Sequence, residues 1–495
     1  MWVKNKNLHD KFNSATKWSA ITEVVAKLVS PVTNMILARI LVPEAFGVVA
    51  TVTMIISFAE MFADSGFQKY LVQQEFKNEE EKYKYANVAF LINLVISILL
   101  WFLIVIFRDQ LANFVGNPGL GNVLAIASLQ LPIISFSSIQ MALYRRDFNF
   151  KTLFLVRLIT VFIPLVVTVP LAFLGLSYWA LIIGTIFMQI SNAVILNLKS
   201  NWKPKLFYSN KIFKKMYSFS IWSLIEAISI WLTAWVDMFI IAGSLNQYYL
   251  GVYRTSISMV NQLMSLITAS TVPVLYSALS RLQDDKKEFT NLYFKVQRFV
   301  SILILPLGVG LFLYSDLATN IFLGSQWSEA SNVIGIWSLT SAVTIVFGHF
   351  SSEVYRAKGR PKLSFLAQIL HLVVLVPTCI ISSKYGFWTL IYARSLIRIQ
   401  MVLVHFVIME FSMRISTLKT FKNVCPTIIS SLIMGIFGYL LKQINESIYW
   451  SVLSIIICVL IYFGTLSLFP NMRVELINLT KKILPKRVLY KFNNL

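Results

Sequence analysis

Apolar residues run through this chain in stretches of about twenty, the length that an α-helix needs to cross a bilayer. Reading each stretch against its polar flanks gives fourteen predicted spans, near residues 18–41, 45–65, 87–107, 121–143, 153–174, 177–198, 217–241, 249–278, 299–315, 328–354, 363–383, 386–410, 421–441 and 447–469. The pattern predicts an all-α polytopic membrane protein with about 14 transmembrane helices.

Polar residues follow one face of each of the first two predicted spans. On the first span they are Glu23, Lys27, Ser30 and Asn34, and on the second they are Thr53, Ser57, Glu60 and Asp64. Their spacing places each set on one side of a helix. A charge at the bilayer centre costs about 2.5–3.5 kcal/mol on insertion scales, so these faces are expected to meet protein or a watery cavity. We expect Asp64 or Glu60 to hold Lys27.

The same pattern returns 204 residues later. Trp18 and Ser19 correspond to Trp222 and Ser223, and Gly47 corresponds to Gly251. This correspondence predicts an internal duplication. The polar faces of the second copy are formed by Ser223, Glu226, Thr233 and Asp237, and then by Arg254, Ser258, Asn261, Ser265 and Thr268. Four such helices, two in each half, predict a shared polar cavity.

The duplication and the loops together predict the domain organisation. Residues 1–198 are expected to form an N-terminal six-helix lobe, 199–216 a basic cytoplasmic linker, 217–410 a C-terminal six-helix lobe, and 411–495 two additional spans with a basic tail. Six helices per lobe is an even number, so the lobes should be parallel repeats. Two mixed-charge connections at equivalent places, Lys69–Lys84 and Arg281–Arg298, are predicted to be interfacial helices.

Composition and charge agree with a membrane protein. The 495 residues are 57% hydrophobic and 13% charged, and the net charge is +22. Of the 44 Lys and Arg, 35 fall in loops on one side of the predicted topology, whereas Arg39, Arg108, Lys384 and Lys442 lie on the other. The positive-inside rule therefore predicts cytoplasmic N- and C-termini in the cell (cytoplasmic or inner) membrane. Topology explains the basic charge better than a nucleic-acid partner does.

Motifs for catalysis or metal binding are not found in the sequence. It has no GxxxxGK[ST], GxGxxG, HExxH or CxxC segment, and its three cysteines are isolated. The adjacent pair Asp284 and Asp285 lies in a charged loop and is interpreted as solvated. We therefore expect no catalytic residue, no metal and no cofactor, and a protein that is not an enzyme.

Intramembrane charges give the candidate functional residues, because such residues usually mark a substrate or ion path. Candidates for substrate binding are Lys27, Asn34, Arg254, Asn261, Arg394 and Arg398; candidates for gating or ion coupling are Glu23, Glu60, Asp64, Glu226 and Asp237. Arginines suit a phosphate or carboxylate, because the guanidinium donates two parallel hydrogen bonds and stays charged. The structural alternative is that these charges only pair across helices, with Glu353 or Glu226 neutralising the arginines of the twelfth span.

The segment LARILVPEAFGVVATVTMIISFAEMFADSGFQKYLVQQ at 37–74 and the segment YRRDFNF at 144–150 resemble the polysaccharide-transport branch of the multidrug/oligosaccharidyl-lipid/polysaccharide (MOP) flippase superfamily. The likeness is to Wzx-type O-antigen and exopolysaccharide flippases. The resemblance implies a transporter that moves a polyprenyl-diphosphate-linked oligosaccharide across the cytoplasmic membrane by alternating access. It also implies that charges on the first, second, seventh and eighth spans contact the glycan or the diphosphate.

Other functions are less consistent with the sequence than this one. A proton- or sodium-coupled multidrug exporter of the same superfamily would use acids such as Glu60 or Asp237, but Lys27 and Arg254 in the same cavity disfavour a cationic cargo. A membrane scaffold would need no polar faces, and a glycosyltransferase would need a catalytic loop. The expected partners are membrane lipid and the lipid-linked oligosaccharide, with a polysaccharide polymerase and glycosyltransferases as candidate protein partners and no nucleic acid.

Overall fold

The computed structural model describes residues 18, 21, 22, 25–64 and 66–483, except the side chains at 64, 218–223, 225, 226, 269, 270, 272–274, 277 and 478–483. Within this part of the chain every regular element is helical and there is no strand. The predicted all-α fold class is confirmed. Helices are the expected solution in a bilayer, because each backbone N–H and C=O must find its partner inside the same segment.

The helices of the first part of the chain are α1 (residues 25–40), α2 (Pro43–Asp64), α3 (Phe67–Gln73), α4 (Glu79–Ile106), α5 (Arg108–Phe114), α6 (Gly121–Ala127), α7 (Gln130–Arg146), α8 (Phe150–Ile163), α9 (Val169–Phe173) and α10 (Tyr178–Lys199). A π-helical turn, Pro164–Thr168, joins α8 to α9. The turn begins at a proline, whose missing N–H removes one bond of the regular α pattern.

The later helices are α11 (Asn210–Ser244), α12 (Gln247–Arg281), α13 (Lys286–Leu313), α14 (Ser315–Phe322), α15 (Ala330–Thr344), α16 (Ser351–Ala357), α17 (Lys362–Ser383), α18 (Phe387–Met413), α19 (Thr417–Lys442), α20 (Ile448–Ser467) and α21 (Pro470–Ile483). A 3₁₀ turn, Ser325–Trp327, precedes α15, and a π-helical turn, Ile345–His349, joins α15 to α16.

Twelve helical segments among the described residues are long and apolar enough to cross a membrane. They match twelve of the predicted spans; the other two, 18–41 and 249–278, include positions outside the description. The count of fourteen therefore stays a prediction. The match follows from hydropathy alone, since an uninterrupted apolar run of this length has no other way to satisfy its backbone in lipid.

The two connections predicted to be interfacial helices are largely not separate elements, and their location at the interface stays a prediction. The Lys69–Lys84 connection contains the short helix α3, but α4 already begins at Glu79 and continues unbroken for 28 residues. In the second connection α13 begins at Lys286 and is also 28 residues long. The side chains of Asn78 and Asp285 accept hydrogen bonds from the first turns of α4 and α13 and fix where each helix starts.

Two compact units are defined by packing. The first comprises Met1–Thr255, Phe322–Trp327 and Val376–Leu390, and the second comprises Ser256–Ile321, Ser328–Leu375 and Ile391–Leu495. These units report which segments pack together and not which segments are repeats. The lobe boundaries expected from the duplication therefore stay a prediction.

A repeated turn supports the duplication. The fifth residue after Tyr144 donates its N–H to the tyrosine carbonyl at 2.9 Å, and the fifth residue after Tyr355 does the same at 2.8 Å. The fourth residue has a positive φ in both turns, 54° at Phe148 and 68° at Gly359. The dipeptide Tyr144-Arg145 recurs as Tyr355-Arg356 in the second half, so segments that are similar in sequence share backbone geometry.

Part of the predicted basic linker packs against α4 and α7 within the first unit. Trp202 is 3% exposed, and its indole Nε1 donates to Asn87 Oδ1 of α4 at 3.0 Å. The same oxygen accepts the backbone N–H of Lys205 at 3.1 Å, and Gln140 of α7 donates to the Trp202 carbonyl at 3.3 Å. This segment is therefore held in place by hydrogen bonds as well as by burial.

Candidate functional site: a helix crossing and two arginine clusters

Two glycines bring α2 and α12 into close contact within the first unit. A Cβ on Gly47 would collide with the carbonyl oxygen of Gln247, and a Cβ on Gly251 would collide with the carbonyl oxygen of Pro43. Both residue pairs, Gly47 with Gly251 and Pro43 with Gln247, are separated by the repeat offset of 204. The contact, which we call the glycine crossing, is therefore made from equivalent atoms of the two repeats.

Loops from both halves complete this arrangement. Trp327 Nε1 and Gln326 Nε2 donate to the carbonyl of Ala38, near the end of α1, at 2.7 Å and 2.6 Å. The equivalent position near the end of α11 is Ala242, and its carbonyl oxygen is what a Cβ on Gly116 would meet. Each half thus covers the end of the other half's first helix, and all of these contacts lie in the first unit.

One arginine, Arg254, contacts residues of α11 from its place on α12 in the same unit; we call this group the first arginine cluster. The Arg254 guanidinium carbon is 4.7 Å from the centroid of the Trp235 ring, a cation–π distance, and Nη1 is 3.9 Å from Met238 Sδ. Within the described part of the chain no carboxylate forms an ion pair with Arg254, although Asp237 is close enough to act on it electrostatically. The arginine is therefore oriented mainly by an aromatic ring.

Asp237 has other partners. Its side chain lies in a residue that is 3% exposed, and Oδ2 accepts a hydrogen bond from the Tyr253 hydroxyl at 2.7 Å. Oδ1 accepts the backbone N–H of Met238 at 2.8 Å. A buried carboxylate needs such bonds to offset the loss of water.

A second arginine cluster lies in the second unit, where α18 meets α15. Arg394 and Arg398 are one helical turn apart, and their guanidinium carbons are 5.6 Å and 4.1 Å from the centroid of one ring, Trp337. Arg398 Nη1 also donates to Ser341 Oγ at 2.8 Å. Arg394 is 8% exposed. The structure thus brings together the two arginines that the sequence predicted to share a face.

Polar neighbours of this cluster have partners of their own. His405 Nδ1 is 3.0 Å from the Tyr355 hydroxyl, and His371 Nδ1 is 3.1 Å from Gln400 Oε1. Glu353, a sequence candidate for neutralising the α18 arginines, is 3.2 Å from Arg356 on its own helix. The other candidate, Glu226, has a side chain outside the described residues.

The remaining predicted residues are placed less tightly. Lys27 and Glu60 are half-buried and both have interaction partners, whereas Asn34 and Asn261 are exposed. Glu23 and the Asp64 side chain lie outside the described residues. The predicted pairing of Lys27 with an acid of α2 therefore stays a prediction, as do the binding and gating roles of all these residues.

Sequence reasoning missed the aromatic residues of both clusters. Trp235, Tyr253 and Trp337 were assigned to apolar runs, although Trp235 and Tyr253 each lie within two residues of a predicted site residue. That proximity was the only available signal. Among the described residues no group of three His, Cys, Asp or Glu could hold a metal ion.

Comparison with solved structures defines the class of protein. The fold matches a lipid II flippase, MurJ, in an inward closed conformation, with a TM-score of 0.73, 19% identity and coverage of 92% of this chain and 99% of that one. It also matches an inward-facing multidrug resistance MATE family transporter of the MOP superfamily, with a TM-score of 0.62, 15% identity and coverage of 79% and 95%. The chain has the fold of the MOP transporters.

Sequence comparison defines the family. Residues 36–332 match the model of a polysaccharide biosynthesis protein family, and the chain belongs to this family. The chain is 24% identical to the succinoglycan biosynthesis transport protein ExoT of Rhizobium meliloti over 66% of this chain and 65% of that protein. It is 21% identical to the lipopolysaccharide biosynthesis protein WzxC of Escherichia coli over 76% of each. The matched region thus spans about two thirds to three quarters of these relatives, and the resemblance noted in the sequence is confirmed.

Proposed function

We infer that this protein is a flippase that translocates a lipid-linked oligosaccharide, an O-antigen or exopolysaccharide repeat unit, across the cytoplasmic membrane. The observation that carries the inference is the pair of arginine clusters on a MOP transporter fold. Each of three arginines is placed against a tryptophan: Arg394 and Arg398 in a segment long and apolar enough to cross a membrane, and Arg254 in the predicted eighth span. A cation is costly there and is retained when it has an anionic cargo to bind, such as the diphosphate of a polyprenyl carrier.

The glycine crossing serves as the outer gate in this proposal. The positive-inside rule assigns the ends of α1, α2, α11 and α12 that meet there to the outer side. Alternating access needs a contact that is well packed in one state and can separate as a unit in the other. A crossing between equivalent residues of two repeats meets this need. When the repeats separate, the contact at Gly47 and the contact at Gly251 break together.

The termini and the basic linker are cytoplasmic in this proposal, and the membrane is the inner one. A polysaccharide polymerase and glycosyltransferases are the protein partners in this proposal. The glycosyltransferases make the lipid-linked oligosaccharide that a flippase translocates, and the polymerase uses it afterwards. Coupled export of a cationic drug is the second candidate, and it would use an acid such as Glu60 or Asp237. The hydrogen bond from Tyr253 and the neighbouring Arg254 make the Asp237 carboxylate a poor site for a cationic drug.

The test is complementation of a strain that lacks the gene. Wild-type protein should restore surface polysaccharide, and the deletion strain should accumulate lipid-linked oligosaccharide that an impermeant glycosidase cannot reach in right-side-out vesicles. Restored drug resistance without any change in the position of the oligosaccharide would favour the exporter instead.

A further inference from the structure

The duplication provides an internal comparison at the corner where α4 meets the turn after α7. There, Lys82 is 5% exposed and forms ion pairs with Asp147 at 3.3 Å and with Glu79 at 2.7 Å. A buried cation is thus compensated by two carboxylates, as is usual for a buried charge.

The equivalent corner in the second half has the opposite chemistry. The repeated turn places Lys358 three residues after its tyrosine, where the first half has Asp147. The repeated helix cap places Phe289 four residues into α13, where the first half has Lys82. Lys358 Nζ lies 4.3 Å from the centroid of the Phe289 ring. An ion pair in one half is therefore a cation–π contact in the other, and no acid replaces Asp147.

A cavity of about 580 Å³ lies at this second corner. Four of its lining residues are cations, Lys286, Lys358, Arg360 and Arg414, and none is an acid. All four belong to the second unit. Four cations around one cavity repel one another unless an anion enters it.

Local structure holds these cations in place. Lys358 Nζ also donates to the carbonyl of Gln283, and Arg360 Nη1 donates to the carbonyl of Ser412 at 3.1 Å. Arg414 has a φ of 53°, a conformation that costs a non-glycine residue free energy. The nearby carboxylate of Asp285 accepts the N–H groups of Lys287 and Glu288, so it caps α13.

We propose that this cavity binds the phosphate group of a membrane lipid. Guanidinium and ammonium groups are the usual ligands of phosphate in proteins. Phe411, which also lines the cavity, is 80% exposed, and an exposed aromatic beside a basic cavity suits a phosphate that carries a hydrocarbon chain. The phosphate comes either from an anionic phospholipid or from a polyprenyl diphosphate, and the predicted topology places the cavity on the cytoplasmic side.

The test uses purified, delipidated full-length protein and native mass spectrometry. The probes are dioleoyl phosphatidylglycerol, undecaprenyl diphosphate and, with the same acyl chains but no net charge, dioleoyl phosphatidylcholine. The double variant Lys286→Gln/Arg414→Asn removes two cations whose side chains make no hydrogen bond within the described chain. We expect it to lose about tenfold or more in affinity for the anionic probe that wild type binds.

The matched control is Lys211→Gln/Lys214→Gln, which removes the same charge from two exposed residues at the start of α11. It should keep wild-type affinity, and the double variant Lys286→Arg/Arg414→Lys should keep most of it. Preference for phosphatidylglycerol would identify a phospholipid site, and preference for undecaprenyl diphosphate a site for the carrier lipid. Equal binding of phosphatidylcholine, or an equal loss in the control, would overturn the proposal. The readout is lipid binding and not export. A negative result would therefore reject the phosphate site without rejecting the flippase function.

Discussion

In the two arginine clusters, the orientation of each arginine side chain depends on the aromatic ring beside it. Arg254 packs against the ring of Trp235, while Asp237 accepts a hydrogen bond from the Tyr253 hydroxyl. An arginine held this way keeps its planar fork in one orientation, which suits an anion that accepts two parallel hydrogen bonds. Lysine in the same place keeps the charge but loses the fork.

Arg254→Ala is therefore expected to accumulate normally in the membrane and to fail in export. The loss should be at least the roughly 1.5–3 kcal/mol of a hydrogen bond to a charged group, about tenfold or more in apparent affinity. Arg254→Lys should be intermediate. Surface polysaccharide and membrane levels would be measured together. Rescue by the exchange Arg254→Asp with Asp237→Arg would show instead that Arg254 only neutralises Asp237.

Asp316 gives a prediction about pH. A hydrogen bond from Ser331, together with one from Lys442 at 2.9 Å, holds the pKa of this carboxyl below its usual value. A lowered pKa in the folded state contributes stability above the unfolded pKa of about 3.9, and this is lost as the pH falls through the folded value. Wild type should lose more stability than Asp316→Asn between about pH 5 and pH 3. Because the side chain of Asp316 is 69% exposed and that of Lys442 is 42% exposed, the difference should stay below about 1 kcal/mol. Parallel melting curves for the two proteins over this range would contradict the assignment.

At the scale of helices, the glycine crossing is the contact that the duplication specifies most closely. Gly47→Ala and Gly251→Ala each place a methyl group against a backbone carbonyl, which cannot move as a side chain can. Overpacking of this kind costs about 1–3 kcal/mol. We expect both variants to lower the melting temperature of the purified protein and to reduce export. Gly243→Ala, in α11, is the control, since a Cβ there has no neighbour within 4 Å among the described residues. An equal effect of all three substitutions would mean that the glycine crossing does not act as the gate.

The linker before α11 gives a second prediction at this scale. Asn87→Leu would leave the indole N–H of Trp202 and the backbone N–H of Lys205 without their acceptor. The buried indole donor alone would cost about 1–3 kcal/mol when left unsatisfied, so the linker should detach more often. Limited trypsin digestion should then cut faster after Lys205, which precedes Leu206, than in wild type, while cleavage in other loops stays the same. Unchanged cleavage after Lys205 would mean that burial of Trp202 holds the linker without its hydrogen bonds.

For the whole molecule, the prediction is the orientation of the chain in the membrane. The asymmetry of 35 cations on one side and four on the other assigns Lys211 to the cytoplasm and Gln247 to the outside. Cysteines introduced at the two positions should react oppositely with an impermeant thiol reagent in intact cells. Equal labelling would exclude this topology, and with it the assignment of the glycine crossing to the outer side.

The sequence alone determined the helices and the repeat. Runs of about twenty apolar residues have only helical solutions in a bilayer, and the offset of 204 that relates Gly47 to Gly251 is visible without any structure. It also determined the shared face of Arg394 and Arg398, because residues four apart always lie on one side of a helix.

Only the tertiary structure decided what each face meets. Helical periodicity fixes the direction of a side chain relative to its own helix, but the neighbour depends on how the helices pack. Thus both α18 arginines pack against the Trp337 ring, and Glu353 pairs with Arg356. Asp237 accepts a hydrogen bond from Tyr253. The corner beside Lys358 is basic for the same reason: a repeated backbone brings together two positions that lie 69 residues apart in the chain, Phe289 and Lys358, and the side chains there differ from those of the first half.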